Sequence, residues 1–252
     1  MAFASGAVVD LPSTAARHVQ VLRLQPGATI VLFNGRDGLE WPAAITRIGR
    51  ASVDVQVGDP VPLDRELPCA VTLALGVPAN DRMDALVEKA GELGAAAIQP
   101  LLCERSVLRL AGERAEAKRR HWRGVAAAAS EQCGRARVAD ILPMLGLAAW
   151  LDRTTRAEHG ASAPVRRVVL SLDAAAAAPT EALAEVLAAP VGVRASMVVL
   201  SGPEGGLTHD EERAAVAAGF VRVGLGPRVL RADTAPLALL AWLGLHFAGG
   251  GR

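Results

Sequence analysis

The residues best suited to chemistry in this chain lie in two glycine-rich segments near its end, residues 200–207 and 225–236. Glycine lets the backbone approach a ligand closely, and the N–H groups of such loops bind polar or anionic ligands. Guanidinium groups stabilise negative charge on a reacting group, and a carboxylate can accept a proton. The charged side chains of the two segments are Glu204, Arg228, Arg231 and Asp233. This composition predicts a small-molecule pocket.

Each segment stands between a predicted strand and a predicted helix. Apolar runs at 195–200 and 220–225 have strand character, and alanine-rich stretches follow them. Thr208-x-x-Glu211 is a capping box, which predicts a helix running to about residue 219. Asp233 or Thr234 caps a final helix with Pro236 in its first turn. We expect the two loops to build one pocket, as loops at the ends of strands do in α/β proteins; the alternative is two ordinary tight turns.

The chain divides into two regions with different patterns. Residues 1–66 contain short strands separated by Gly turns, with alternating Val53, Val55 and Val57, and predict a small β-barrel. Residues 67–252 alternate strand and helix patterns and predict a parallel sheet flanked by helices. The predicted strands of this second region are 71–77, 97–102 and 165–172, and its predicted helices are 81–93, 113–132 and 180–187.

Composition excludes several classes of protein. Of the 252 residues 51% are hydrophobic and 21% are charged, which is typical of a globular chain. No apolar run reaches the ~18 residues of a membrane span. Three widely spaced cysteines favour neither a disulfide framework nor a metal site, and they suit a reducing cytoplasm. Neither a dinucleotide-binding Gly-x-Gly-x-x-Gly nor a Walker A motif stands at the expected place.

Five ordered blocks of residues resemble one known family. They are Arg17-His-Val-Gln-Val-Leu-Arg23, Glu88-Lys-Ala-Gly-Glu-Leu-Gly94, Ser130-Glu-Gln-Cys-Gly-Arg135, Gly202-Pro-Glu-Gly-Gly206 and Leu225-Gly-Pro-Arg-Val-Leu-Arg-Ala-Asp-Thr-Ala235. The pattern is similar to the SPOUT superfamily and, within it, to the methyltransferases that modify N3 of one uridine in 16S ribosomal RNA. The resemblance implies a PUA-like RNA-binding barrel at 1–66 and an α/β domain with a trefoil knot at 67–252. It also implies S-adenosylmethionine as cofactor, 16S rRNA of the 30S subunit as partner, and a homodimer.

The resemblance also assigns roles to residues. Arg231 and Arg228 would stabilise charge on the uracil oxygens, and Glu204 or Asp233 would accept the N3 proton, although Glu204 is as well suited to holding its turn and Asp233 to capping a helix. Arg17, Arg23 and Arg135 are the candidates for RNA contact, with a contact at the dimer interface as the alternative for Arg23 and Arg135. The residues expected around the cofactor are Leu200, Ser201, Gly202, Pro203, Gly205, Gly206, Leu225, Gly226, Val229, Leu230, Thr234 and Ala235. Asp233 stands where the family usually has Glu, which shortens the reach of this carboxylate.

Two other functions fit the same sequence less well. One is a related knotted enzyme that methylates a ribose 2′-oxygen in tRNA. The other is a non-catalytic RNA-binding factor for ribosome assembly, in which the knotted domain only dimerises. Intact glycines in both loops argue against the second, because a protein without a ligand there does not need bare backbone.

Overall fold

The computed structural model describes residues 2–79, 82–157, 165–173, 175–188 and 195–249. The chain forms two compact units. The first unit consists of residues 1–65 together with the short segment 134–137, and the second consists of residues 66–133 and 138–252. The return of residues 134–137 to the first unit is not indicated by the sequence pattern.

The first unit is built on an antiparallel sheet. Its elements are β1 (Val8–Asp10), α1 (Ser13–Val21), β2 (Thr29–Leu32), β3 (Leu39–Ile48), β4 (Val53–Val57) and β5 (Val61–Pro62). The strand order is β1-β4-β3-β2, and β5 pairs with β3. The predicted alternation in β4 is confirmed, because Val53, Val55 and Val57 are buried while Gln56 between them is exposed.

Residues 134–137 are held in this unit by arginine side chains that donate to backbone carbonyls. Arg65 donates to the Gly134 carbonyl at 2.6 Å. Arg137 donates to the carbonyls of Arg36 and Asp37 in the turn between β2 and β3. Guanidinium groups suit this role because they offer several donors in one plane.

The second unit is built on a parallel sheet. Its elements are β6 (Cys69–Gly76), α2 (Arg82–Glu92), β7 (Ala97–Leu102), α3 (Gly112–Cys133), β8 (Asp140–Ile141), β9 (Leu145–Gly146), α4 (Leu147–Ala157), β10 (Val165–Leu170), α5 (Pro179–Ala182), α6 (Ala184–Leu187), β11 (Ala195–Ser201), α7 (His209–Ala217), β12 (Val221–Val223) and α8 (Thr234–Gly249). The order is β12-β10-β11-β6-β7-β8, with β9 also on β7, and every pairing is parallel.

The predicted fold class, a parallel α/β sheet preceded by a small antiparallel sheet, is confirmed. Two local predictions need correction. The strand expected at 165–172 ends at Leu170, and Leu172 is 72% exposed. The helix expected at 180–187 is divided at Leu183, whose φ of −111° interrupts helical geometry. Strands β8 and β9 were too short to detect, and Asp81, where α2 was expected to begin, lies outside the described residues. The trefoil knot stays a prediction.

The core of the second unit forms where α2 packs against the sheet. One face of α2 is buried: Met83, Leu86, Val87 and Ala90 are at most 1% exposed, and Leu93 after the helix is partly buried. Gly94 follows the end of α2, and its φ of +94° is the left-handed conformation that favours glycine after a helix. Within the described ranges, no helix is both long enough and apolar enough to cross a bilayer.

Asp84 connects α2 to α3 through two hydrogen bonds. The buried indole of Trp122 donates to Asp84 Oδ1 at 3.0 Å, and His121 Nε2 lies 2.7 Å from Oδ2. Burial works against ionisation of this carboxyl group, but the hydrogen bonds from His121 and Trp122, together with nearby positive charge, hold its pKa below the ordinary value. The ionised form of Asp84 therefore stabilises the folded state.

We expect Asp84→Asn to lower the free energy of unfolding at pH 7 by about 1–3 kcal/mol, because it weakens bonds that satisfy a buried indole N–H. The folded-state pKa is depressed, so the contribution is complete above the unfolded pKa of about 3.9 and disappears as the pH falls through the folded value. Urea denaturation between pH 7 and about pH 2, which crosses both the unfolded and the lowered folded-state pKa, measures this difference. Glu88→Gln is the control and should change stability little, because Glu88 is an exposed α2 residue whose ion-pair partner among the described residues is the exposed Lys89. A loss that stays constant at low pH would contradict the role of the ionised carboxylate.

Candidate functional site: a cavity at the carboxyl ends of three strands

The order of the strands brings three loops together at one edge of the parallel sheet. Strand β10 lies between β11 and β12, so the loops that follow these three strands are neighbours. They surround a cavity of about 770 Å³. Ligands bind in this position in open α/β sheets, and the volume is in the range of ligand pockets, about 300–1,000 Å³. Both predicted glycine loops line this one cavity, at residues 201–207 and at residues 225, 226, 228–232 and 235.

The first loop, residues 201–207, is a tight turn that only glycine permits. Gly206 has a φ of +70° and donates its N–H to the Pro203 carbonyl at 2.8 Å. A Cβ on Gly202 would lie 2.7 Å from the Leu207 nitrogen, which is closer than real contacts allow. The predicted capping box follows and is confirmed: Thr208 and Glu211 exchange hydrogen bonds at the start of α7. The loop is thus fixed at both ends by its own backbone.

Gly76, at the end of β6, lies directly beneath this loop. A Cβ on Gly76 would stand 2.5 Å from both the nitrogen and Cδ of Pro203. Any larger residue would push the first loop away from the sheet. Sequence reasoning missed Gly76, because nothing in the local pattern distinguishes it from a glycine that ends a strand.

Glu204 is engaged with the loop after β6. Its Oε1 accepts a hydrogen bond from the Ala79 N–H at 2.9 Å and lies 3.6 Å from Arg82 Nη1. Arg105 reaches the same loop from the opposite side and donates to the Gly205 carbonyl at 2.9 Å. These contacts favour the interpretation in which Glu204 holds its turn. Arg82 and Arg105 both line the cavity, and the sequence did not single them out.

The second loop carries two exposed guanidinium groups at the cavity. Gly226 has a φ of +96°, and Arg228, Val229 and Arg231 are exposed. The half-buried Leu225 and Leu230 add apolar surface to the lining. The loop ends where the N–H groups of Thr234 and Ala235 both donate to the Arg231 carbonyl at 3.0 Å. Four arginines therefore line the cavity, namely Arg82, Arg105, Arg228 and Arg231.

Three predicted site residues do not line the cavity. Leu200 is completely buried in the core between the sheet and α4, so it cannot form an apolar wall. Asp233 accepts a hydrogen bond from the Thr234 hydroxyl at 3.3 Å, and both residues lie at the start of α8 outside the lining. The placement of Asp233 fits the helix-end alternative better than proton transfer.

The third wall of the cavity was not predicted. It consists of residues that follow β10 and of two side chains from the first turn of α7: Ser171, Leu172, Asp173, His209 and Glu212. The sequence pattern placed residues 171 and 172 in a strand. It also could not show that β10 lies between β11 and β12, because strand order depends on the whole sheet. A signal was available in the Ser-x-Asp that follows the apolar run of β10, since polar residues after a strand often belong to a site.

The arginines predicted to bind RNA differ in exposure. Arg17 and Arg23 are exposed in the first unit. Arg23 has a φ of 55° just after α1, the single non-glycine residue with positive φ among the described residues. Arg135 is only 4% exposed, which makes it a poorer candidate for a phosphate contact than Arg17 or Arg23; its contact with RNA stays a prediction. Among the residues described, no group of three His, Cys, Asp or Glu is placed to hold a metal ion.

Comparison with known proteins gives a consistent result. Residues 65–244 match the RNA methyltransferase domain family, and residues 11–58 match the RNA methyltransferase PUA domain. The chain is 31% identical over 224 residues to ribosomal RNA small subunit methyltransferase E of Bacillus subtilis, covering 88% of this chain and 84% of that protein. It is 32% identical over 242 residues to the protein of the same name from Mycobacterium bovis, covering 96% of this chain and 87% of that protein.

A solved structure extends the likeness to three dimensions. Ribosomal RNA small subunit methyltransferase E from Neisseria gonorrhoeae, bound to S-adenosyl methionine, has a TM-score of 0.82 and 32% identity, covering 97% of this chain and 94% of that chain. The likeness therefore extends over both units. On this similarity of sequence and fold, the chain belongs to the RNA methyltransferase family that includes ribosomal RNA small subunit methyltransferase E.

Proposed function

We propose that this protein transfers the methyl group of S-adenosylmethionine to N3 of a uridine in 16S ribosomal RNA, in the cytoplasm where the 30S subunit is assembled. One observation supports this most directly: both glycine loops line a single cavity of about 770 Å³ in a chain whose Neisseria gonorrhoeae relative binds S-adenosyl methionine. The other relatives are named for methylation of small-subunit ribosomal RNA. The choice of a uridine and of its N3 atom rests on the resemblance of the sequence motifs.

The cavity suits a nucleoside that carries an amino-acid chain. Its lining combines apolar side chains, glycine backbone and four arginines. Leu225 and Leu230 would contact the adenine ring, and the glycine loops would bind its edges through backbone groups. The bound cofactor supplies an electrophilic methyl group on a sulfonium. The chief task of the loops is then to hold that methyl in line with the attacking atom, since positioning contributes much of the rate of such transfers.

The substrate atom must lose a proton before it can attack. Uridine loses the N3 proton to give the uridinate anion. Its N3 atom then forms the N–CH₃ bond as the S–CH₃ bond breaks, and the products are N3-methyluridine, S-adenosylhomocysteine and a proton. Arg231 and Arg228 are exposed at the cavity and would stabilise the negative charge on the uracil oxygens. Asp233 lies outside the lining, and Glu204 Oε1 already accepts the Ala79 N–H. We therefore assign both carboxylates positioning roles and propose that water accepts the N3 proton.

The proposal is tested by methylation of defined RNA substrates. Purified protein is incubated with labelled S-adenosylmethionine and 30S particles that lack the modification, and the RNA is digested to nucleosides. The expected product is N3-methyluridine in 16S rRNA. Ribose-methylated tRNA would replace the proposal with a tRNA enzyme, and the absence of cofactor binding in calorimetry would leave only a non-catalytic RNA-binding factor.

Arg231→Ala should reduce kcat by about 10²–10³, the range for loss of one group that stabilises developing charge. Affinity for RNA should change much less. The defect should shrink at alkaline pH, where N3 ionises without help from a neighbouring cation. Single-turnover rates between pH 7 and pH 9 measure this. If RNA affinity and rate fall equally, or the defect is independent of pH, Arg231 only binds RNA.

The first unit would grip RNA through exposed cations, and Arg23 is its most informative residue. An L-residue in the left-handed region costs about 1–2 kcal/mol, and glycine is the usual choice there. Arg23 is exposed, and its guanidinium has no hydrogen-bond or ion-pair partner in the described parts of the chain. Since the side chain contributes nothing visible to the fold, a phosphate of the RNA would account for it.

Arg23→Gly should therefore weaken RNA binding without lowering the free energy of unfolding. The free energy of unfolding should stay equal or rise by up to about 1 kcal/mol, because glycine adopts this φ freely. RNA affinity should fall, and the slope of log K against log salt should decrease in magnitude by about 1, the value for one lost phosphate contact. The control is Arg47→Gln, whose guanidinium pairs with Asp54 at 2.7 Å. An unchanged salt slope would argue against the contact.

A homodimer is part of the proposal, and α8 offers the surface for it. This helix is apolar around its circumference and packs one side on α2 and β11. Its other side leaves a stripe at helical spacing, Ala238, Ala241, Trp242 and Leu245, of which Leu245 is 76% exposed. A second copy of the chain would cover this stripe, since an all-apolar helix is normally buried on every side.

Leu245→Glu should shift the protein toward monomers at micromolar concentration in sedimentation velocity, because a carboxylate in an apolar interface has no partner. Val107→Glu is the matched control; Val107 is as exposed, at 75%, and belongs to the segment between β7 and α3. A wild-type protein that sediments as a monomer would refute the homodimer directly.

A further inference from the structure

A connected set of polar side chains forms the third wall of the cavity. The Ser171 hydroxyl donates to Glu212 Oε1 at 2.7 Å, and Arg222 Nε donates to the same oxygen at 2.6 Å. Arg222 Nε also lies 3.7 Å from Asp173 Oδ2. Ser171, Asp173 and Glu212 all line the cavity. Three different elements, β10, β12 and α7, contribute to this set, so its geometry is fixed by the fold.

One carboxylate oxygen of Glu212 is available to a ligand. Oε1 accepts both hydrogen bonds described above, and Oε2 has no partner in the described parts of the chain. The side chain is 22% exposed, and Glu212 is among the residues that line the cavity. A carboxylate oxygen has lone pairs for two donors, and a ligand in the cavity would supply them.

The charge around Glu212 selects the kind of donor. Arg222 stands 2.6 Å from Glu212 and 3.7 Å from Asp173, so a positive charge already lies against the carboxylate. Arg222 offsets part of the attraction that the two carboxylates would exert on a ligand ammonium, whereas a neutral hydroxyl gains a charge-assisted hydrogen bond without competing with the guanidinium. The four arginines of the cavity lining suit the anionic parts of ligands instead. Hydroxyl groups are therefore the best match for this wall.

We infer that Glu212, held by Ser171 and Arg222, accepts hydrogen bonds from the ribose hydroxyls of the cofactor and so determines specificity for a ribonucleoside; this rests on the proposed function. A carboxylate that binds ribose hydroxyls at the end of a strand is a known solution in other nucleotide-binding α/β proteins. Ser171 and Arg222 are positioning residues, because their hydrogen bonds hold Glu212 Oε1 and leave Oε2 for the ligand. A site built to bind a hydroxyl discriminates strongly against an analogue that lacks it.

The test pairs a protein variant with a ligand variant. Calorimetry measures the binding of S-adenosylhomocysteine and of its 2′-deoxy and 3′-deoxy analogues to wild-type protein and to Glu212→Gln. In the variant, Ser171 and Arg222 retain the amide oxygen, so an NH₂ group replaces Oε2. We expect wild-type protein to prefer the ribonucleoside by about tenfold or more over at least one deoxy analogue, the size of one charge-assisted hydrogen bond.

The variant should bind S-adenosylhomocysteine about tenfold more weakly than wild type and that deoxy analogue equally well. Asp210→Asn is the matched control, since Asp210 is exposed on the same helix, pairs only with Arg213 and does not line the cavity. Ser171→Ala should also weaken the binding of S-adenosylhomocysteine and not that of the deoxy analogue, but by a smaller factor than Glu212→Gln. Thermal unfolding without ligand verifies that each variant is folded.

Two results would overturn the inference. In the first, Glu212→Gln weakens ribose and deoxy ligands by the same factor, which means that the carboxylate only supports the fold of the cavity. In the second, the variant binds every ligand as wild type does. A wild-type protein that binds no S-adenosylhomocysteine at all would instead refute the proposed function, so the two failures are distinguishable.

Discussion

The cavity depends on the close contact between the end of β6 and the loop that follows β11. At Gly76 there is no room even for a methyl group, because a Cβ would stand 2.5 Å from Pro203. The contact brings the first glycine loop down onto the sheet, and Glu204 secures it by accepting the Ala79 N–H. Arg105 then ties the far side of the loop to the segment after β7. A backbone held this rigidly is a good binding surface, because ligand binding costs it little conformational entropy.

Charge is divided around the cavity in a way that suits two ligands of opposite character. Exposed arginines of the second loop and of the segments after β6 and β7 favour anionic groups, as RNA phosphates and an ionised uracil require. On the wall after β10 the acidic groups are partly neutralised by Arg222, which leaves hydrogen-bond acceptors with little net charge. The same pocket thus offers cations to a nucleic acid and acceptors to a nucleoside. Of the two roles that the sequence left open for Glu204, the hydrogen bond from the Ala79 N–H favours the structural one.

Prediction from the sequence succeeded where the signal was local. The capping box at Thr208, the end of α2 at Gly94 and the alternating valines of β4 are each set by neighbours within a few residues. Prediction failed where a residue's surroundings come from distant parts of the chain. Arg135 carries a charge that suggests a surface, yet it is buried, and Leu172 belongs to an apolar run that suggests a strand, yet it is exposed beside the cavity.

By itself, the sequence determined the class of fold, the two regions, the glycine loops and their resemblance to a methyltransferase family, because these depend on periodicity, turn chemistry and motifs that are read along the chain. Only the tertiary structure decided that β10 lies between β11 and β12 and so adds Ser171, Asp173 and Glu212 to the cavity. The physical reason is that strand order minimises the free energy of the whole sheet and its helices. Side chains more than 40 residues apart, such as Ser171 and Glu212, become neighbours only when that sheet forms.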